Sequence, residues 1–115
     1  MLKLSIITIA YNNLAGLRKT AESVLSQTTN DFEWIIVDGA STDGTQEYLQ
    51  EIRQQWHGDT DSLHIISEPD SGIYNAMNKG IRLAHGEYLL FLNSGDCLSS
   101  QRMLEELMLL DCRAE

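Results

Sequence analysis

Two aspartates sit where a small domain could put negative charge to use. Asp38 closes the β-branched run "EWIIVD", and Asp96 closes the turn "NSGD" that follows the apolar run "EYLLFLN". A carboxylate at the end of a buried strand can accept hydrogen bonds from a ribose hydroxyl or a base N–H. It can equally cap the turn at 41–45, because aspartate is a common turn former. A carboxylate on an exposed turn can hold a hard cation together with waters and phosphate oxygens, as Mg2+ is commonly held and as Mn2+ accepts. The plain alternative for Asn93, Gly95 and Asp96 is an ordinary turn. A third polar stretch, "EPDSGIYNAMNKG" at 68–80, contains the only proline and crowds donors and acceptors ahead of a helical pattern.

Other chemistries lack their residues. The serines include no G-x-S-x-G elbow, so none reads as a nucleophile. His57, His64 and His85 stand on unlike elements without ligand spacing and read as solvent or packing residues. Cys97 and Cys112 have no short metal-type spacing and read as reduced thiols. The turn after the first strand, "AYNNLAG", lacks the glycine spacing that a dinucleotide pyrophosphate requires. Gly44 and Thr45 read as helix-initiating geometry, with Asp43 a weaker cap. Tyr74 and Met77 read as core residues.

These residues must be positioned by a chain of 115 residues, the size of one domain. Its hydrophobic content of 43% and charged content of 22% are those of a folded globular protein. The formal charge of −9 argues against nucleic acid or an anionic membrane as the main partner. A nucleotide remains compatible, since a metal or a helix N-terminus can meet its charge locally. The opening "MLKLSIITIAY" is a strand pattern rather than a signal peptide, and no apolar run approaches a membrane span. The expected location is cytoplasmic.

Strands are expected at 4–11, 33–38, 62–67 and 87–93. Between them, helical faces run through Leu14, Leu17, Ala21, Val24 and Leu25, capped by Asn12 or Asn13, then through Tyr48, Leu49, Ile52 and Trp56. A third helix, 73–84, presents Ile73, Met77, Ile81 and Ala84 as the face pinned to the sheet. A last amphipathic segment carries Met103, Leu104, Leu107, Met108 and Leu110. Strand and helix in strict alternation predict an α/β fold with right-handed crossovers around a mostly parallel sheet flanked by helices. Ligands in such sheets lie beyond the carboxyl ends of the strands. The loops "AYNN", "DGASTDGT", "SEPDSG" and "NSGD" all fall there, and they concentrate the polar residues.

In their order, "SIITIAYNN", "ESVLSQT", "WIIVDGASTDGT" and "GIYNAMNKGIRLAHGEYLLFLNSGD" resemble the N-terminal, donor-binding part of a family-2 glycosyltransferase with the Rossmann-like GT-A fold. The likeness runs from about Leu4 to Leu98 and is nearest to members that assemble bacterial polysaccharides. It implies a nucleotide-sugar donor, typically a UDP-sugar, a divalent Mg2+ or Mn2+ on the diphosphate, and inverting transfer to a saccharide or lipid-linked saccharide acceptor. Asp38 matches the aspartate that contacts the base, and Thr8, Ala10 and Tyr11 match the segment beside the nucleoside. Asp70 and Asn78 match polar positions lining the donor site, and the resemblance implies that Lys79 faces phosphate or sugar. Asp96 matches the metal-motif region.

Three departures qualify the resemblance. The second acidic residue usual after Asp38 is Gly39. In the metal region Asn93 and Gly95 replace acidic residues, leaving Asp96 as the only carboxylate, so weak metal binding without nucleotide is expected. The chain stops at Glu115, so the acceptor half is expected to be absent and no general base can be assigned. The apolar face of 103–110 would then be exposed or buried in a homodimer, and the full-length enzyme would associate peripherally with a membrane. The competing readings are a non-catalytic nucleotide-binding or interaction module and a nucleotidyltransferase-like domain. The latter would require a basic, glycine-rich loop where "AYNNLAG" stands.

Overall fold

The computed structural model describes residues 4–29, 31–98 and 100–106. In chain order the elements are β1 (Leu4–Ala10), α1 (Leu14–Leu25), β2 (Glu33–Asp38), α2 (Thr45–Gln55), a short 3-10 turn (Thr60–Ser62), β3 (Leu63–Ser67), α3 (Ile73–Leu83) and β4 (Tyr88–Phe91). The four strands form one sheet in the order β3-β2-β1-β4, with every pairing parallel. The expected α/β arrangement is the one observed.

Alternation along the strands divides the core into two layers. On one face Ile6, Ala10, Trp34 and Ile36 pack with Leu17, Ala21 and Val24 of α1 and Leu49 and Ile52 of α2. The Trp34 indole N–H donates to the Thr8 hydroxyl at 2.9 Å, so the two polar groups buried in this layer satisfy one another. On the other face Ile7, Ile35 and Val37 meet Ala76 of α3.

That second layer corrects the expected face of α3. Ile73 and Ile81 are 52% and 43% exposed, and Tyr74 is 79% exposed rather than core. The buried residues of the helix are Ala76 and Gly80. A Cβ on Gly80 would lie 2.5 Å from Ile7 Cγ2. The missing side chain therefore lets the helix backbone rest on the sheet, while Ile73, Tyr74 and Ile81 turn outward and Leu83 packs inward.

The fourth strand is also shorter than expected. It pairs over Tyr88–Phe91 at the edge of the sheet, leaving Tyr88 and Leu89 exposed. Of the last apolar segment, Leu104 is fully buried and Met103 packs against the core. The described part of that face is thus covered by the chain itself. Leu107, Met108, Leu110 and Cys112 lie outside the described residues.

Candidate functional site

Parallel strands point all their carboxyl ends to one edge, so the loops after β1, β2 and β3 meet there. They are joined by bonds that sequence spacing does not display. The Asn12 N–H donates to the Ser41 hydroxyl at 2.8 Å, and the Thr42 N–H donates to Asn12 Oδ1 at 2.9 Å. The Gly39 N–H donates to the Ala10 carbonyl at 2.9 Å, and the Glu68 N–H donates to the Asp38 carbonyl at 3.0 Å. Asn12 and Ala40 both take left-handed φ, at 46° and 63°. For Ala40 this is a strained conformation, held by the surrounding bonds.

Asp38 lies beneath this junction with no exposed surface. Its carboxylate accepts the Ser41 N–H at 3.1 Å, the Ser41 hydroxyl, and the Ser67 hydroxyl at 2.8 Å. One side chain therefore fastens the loop after β2 to the end of β3. Asp43 does similar work between two helices. Its Oδ2 accepts the Leu14 N–H at 3.0 Å, and its Oδ1 accepts the Thr45 N–H at 3.2 Å and the Thr45 hydroxyl. Asn13 caps α1 by accepting the Gly16 N–H at 3.1 Å.

The Thr45 hydroxyl, with the Leu14 and Thr45 N–H groups, holds the Asp43 carboxyl below its ordinary value of 3.8, against a smaller opposing effect of desolvation. A depressed folded-state pKa contributes stability that is complete above 3.8 and lost as pH falls through the lower folded value. Urea midpoints of the wild type should therefore fall in that acidic window. The fall should be shallower in Asp43→Asn. Equal acid slopes in the two proteins would refute this role.

Above the junction opens a cavity of about 550 Å³ lined by Ile9, Tyr11, Gly39, Pro69, Asp70, Gly72, Ile73 and Ala76. Tyr11 is 65% exposed and stands as one wall. Asp70 forms the other, its Oδ1 accepting the Gly72 N–H at 3.3 Å. A Cβ on Gly39 would lie 3.0 Å from Asp70 Oδ2 and 3.1 Å from Tyr11 Cδ1. Asp70 and Tyr11 thus occupy the space an acidic side chain at position 39 would enter, so Gly39 belongs to the architecture of the cavity. The first turn of α3 faces the cavity through Gly72 and Ile73, and its N-cap Gly72 makes no side-chain capping bond.

Of the residues singled out in the sequence, Tyr11 and Asp70 come together at this cavity. Thr8, Ala10 and Asp38 are buried behind it. Lys79 turns away, donating to the Pro69 carbonyl at 2.9 Å and pairing with Glu68 at 3.2 Å, and so secures α3 to the loop after β3. Asn78 is exposed on α3 and does not line the cavity. Gly39, Gly72, Ile73 and Ala76 were not singled out as site residues. Small and apolar residues carry no chemical signature until backbones converge on them.

Asp96 lies on a separate turn docked against α1. The Asn93 N–H donates to Asp96 Oδ2 at 3.1 Å, and the Asp96 N–H to the Asn93 carbonyl at 2.9 Å. Thr20, fully buried, seats the turn: its hydroxyl donates to the Asp96 carbonyl at 2.7 Å and accepts the Gly95 N–H at 3.0 Å. Asn93 Oδ1 is a buried acceptor with no hydrogen-bond partner.

The model of the family described as Glycosyl transferase family 2 matches residues 5–112. The chain belongs to that family. A glycosyltransferase of Mycobacterium tuberculosis without a characterised activity is 41% identical over 96 residues, covering 83% of this chain and 34% of the relative. TuaG of Bacillus subtilis, named for teichuronic acid biosynthesis, is 36% identical over 104 residues, covering 90% of this chain and 40% of the relative. Among solved structures, Staphylococcus aureus TarS 1–349 in complex with UDP superposes with a TM-score of 0.84 at 25% identity, over 97% of this chain and 32% of that one. The chain therefore spans 34–40% of the length of these two relatives and 32% of that TarS chain, and its sheet has the expected GT-A arrangement.

Proposed function

We propose that this family-2 chain is the donor-binding part of a glycosyltransferase that moves a sugar from a UDP-sugar to an acceptor hydroxyl, with inversion, in bacterial polysaccharide assembly. The observation that carries the reading is the cavity at the carboxyl ends of the strands, walled by Tyr11, Gly39, Asp70 and the first turn of α3. The TarS structure with UDP and the teichuronic acid relative support the donor and the pathway class. The Tyr11 ring offers a stacking face to a base, and the Asp70 carboxylate an acceptor for ribose or sugar hydroxyls. The start of α3 presents N–H groups suited to phosphate. Asp38 acts here by holding the loop floor through Ser41 and Ser67. Thr8 and Ala10 support that floor from below, while Lys79 keeps α3 in place and Asn78 stands outside the cavity.

The turn at 93–96 fits a hard divalent cation in its donor chemistry. Asp96 would supply one anionic oxygen, and the unpartnered Asn93 Oδ1 would offer a neutral one. Mg2+ and Mn2+ both accept such ligands, with diphosphate and water completing the set. A bound cation would offset the charge that develops on the departing diphosphate. Transfer breaks the bond between the anomeric carbon and phosphate oxygen and forms one to the acceptor oxygen, whose proton must leave. None of the described residues is assigned as the base that takes it.

Thermal unfolding with UDP, GDP and TDP, each with and without Mn2+, tests the donor reading. Stabilisation is expected to be largest for UDP with Mn2+, about 2.7 kcal/mol at a hundredfold excess over Kd. Indifference to every nucleotide would overturn it. A single carboxylate on the metal turn also favours a second reading, a module that binds nucleotide without transferring sugar. Wild-type binding of a UDP-sugar with no release of UDP, even with candidate acceptors, would select it.

A further inference from the structure

We propose that Glu33, His64 and His85 form a binding site for a transition-metal ion of the zinc type, at the end of the sheet opposite the nucleotide cavity. The histidines do not remain apart as the sequence suggested. Glu33 is the first residue of β2, His64 lies near the start of β3, and His85 lies in the link between α3 and β4. A parallel sheet gathers these amino ends at one edge, as it gathers the carboxyl ends at the other.

The ligand atoms are already convergent. His85 Nδ1 lies 2.8 Å from Glu33 Oε2, and His64 Nε2 lies 3.2 Å from the same oxygen. All three ligand atoms fall within 4.8 Å of one another. A tetrahedral zinc ion with bonds near 2.0–2.2 Å places its ligands about 3.3 Å apart. Modest side-chain rotation reaches that spacing, and His85, with 77% of its side chain exposed, can make it. Two imidazoles and a carboxylate are a known zinc donor set, with the fourth position left to water. The ion would take the place of the protons that the two imidazoles direct at Glu33.

The carboxylate is held in position by its other oxygen. Glu33 Oε1 accepts the Ser5 hydroxyl and the His85 N–H, both at 2.7 Å. Ser5 Oγ in turn accepts the Gly86 N–H at 2.8 Å. Such outer bonds orient metal-ligating groups and are part of a working site. Imidazole ligands select zinc, copper, nickel or cobalt over magnesium. This site is therefore distinct in place and in chemistry from the all-oxygen turn at Asp96, and it stands whether or not the chain binds a nucleotide.

The test uses the 115-residue chain, free of any histidine tag and stripped with chelator, titrated with Zn2+ in a calorimeter without nucleotide. One-to-one binding is expected, resistant to excess Mg2+, with Co2+ giving the visible bands of a tetrahedral site. His85→Ala and His64→Gln should each weaken Zn2+ binding at least about tenfold, while remaining folded by circular dichroism. His57→Ala should leave binding unchanged. Absence of binding, displacement by Mg2+, or equal binding by wild type, His85→Ala and His64→Gln would overturn the proposal. The cluster would then be a hydrogen-bonded clasp and nothing more.

Discussion

Asp38→Ala is expected to lower the free energy of unfolding by about 3 kcal/mol, since it leaves the N–H and hydroxyl of the buried Ser41 without their acceptor. The same change should remove the stabilisation by UDP and Mn2+. The Ser41 N–H, the Ser41 hydroxyl and the Ser67 hydroxyl all converge on this one carboxylate, and the residue is fully buried. Losing it frees the loop after β2 from β3, and that loop carries Gly39 into the cavity. Urea denaturation measures the first effect and nucleotide-dependent melting the second. Ser41→Ala separates positioning from direct base contact, because it leaves the carboxylate and the Ser41 N–H in place while removing the hydroxyl's bonds with Asp38 and Asn12. Positioning predicts that Ser41→Ala also weakens the UDP response. A full response in Ser41→Ala, with none in Asp38→Asn, would instead favour contact with the base.

The second large effect is expected at Gly80. A valine there places its Cβ 2.5 Å from Ile7 Cγ2 and adds two methyl groups to an occupied space. Overpacking of this kind costs about 3 kcal/mol at its upper range, and α3 must lift from the sheet to relieve it. Ile73 and Ala76 then move with the cavity wall, so the UDP response should fall together with stability. Gly80→Ala gains about 1 kcal/mol of helix propensity against the same close contact, so its net loss should be smaller. In an Ile7→Ala background the contact is gone, and Gly80→Ala should become neutral or stabilising. A double-mutant cycle reads that coupling directly. Additive effects would show that the helix is not held by this approach.

The same helix marks how far sequence reasoning reaches. Its existence and extent follow from periodicity, but of the pattern Ile73, Met77, Ile81 and Ala84 the structure exposes Ile73 and Ile81 and packs only Ala84 against the core. Hydrophobicity favours burying the larger residues, yet close packing against a sheet can favour the residues that allow the nearest backbone approach. In this helix those are Ala76 and Gly80. Likewise Asp38 and Asp96 were legible as chemically loaded strand and turn ends. Whether each faces a ligand or its own loop depends on where Ser41, Ser67 and Asn93 fall in space. Tyr11 and Asp70 could be named as site residues only through the family resemblance, since spacing alone does not join positions so far apart in the chain.

The sequence by itself determined the alternation of strands and helices, the edge of the sheet where polar loops collect, and the family. Those properties reside in local runs and in their order, which a linear reading preserves. Tertiary structure alone decided the cavity between Tyr11 and Asp70, the burial of Asp38, and the meeting of His64 and His85 on Glu33. Each depends on segments brought together by strand pairing and helix docking, and side chains distant in sequence acquire a common geometry only when the parallel sheet aligns their ends.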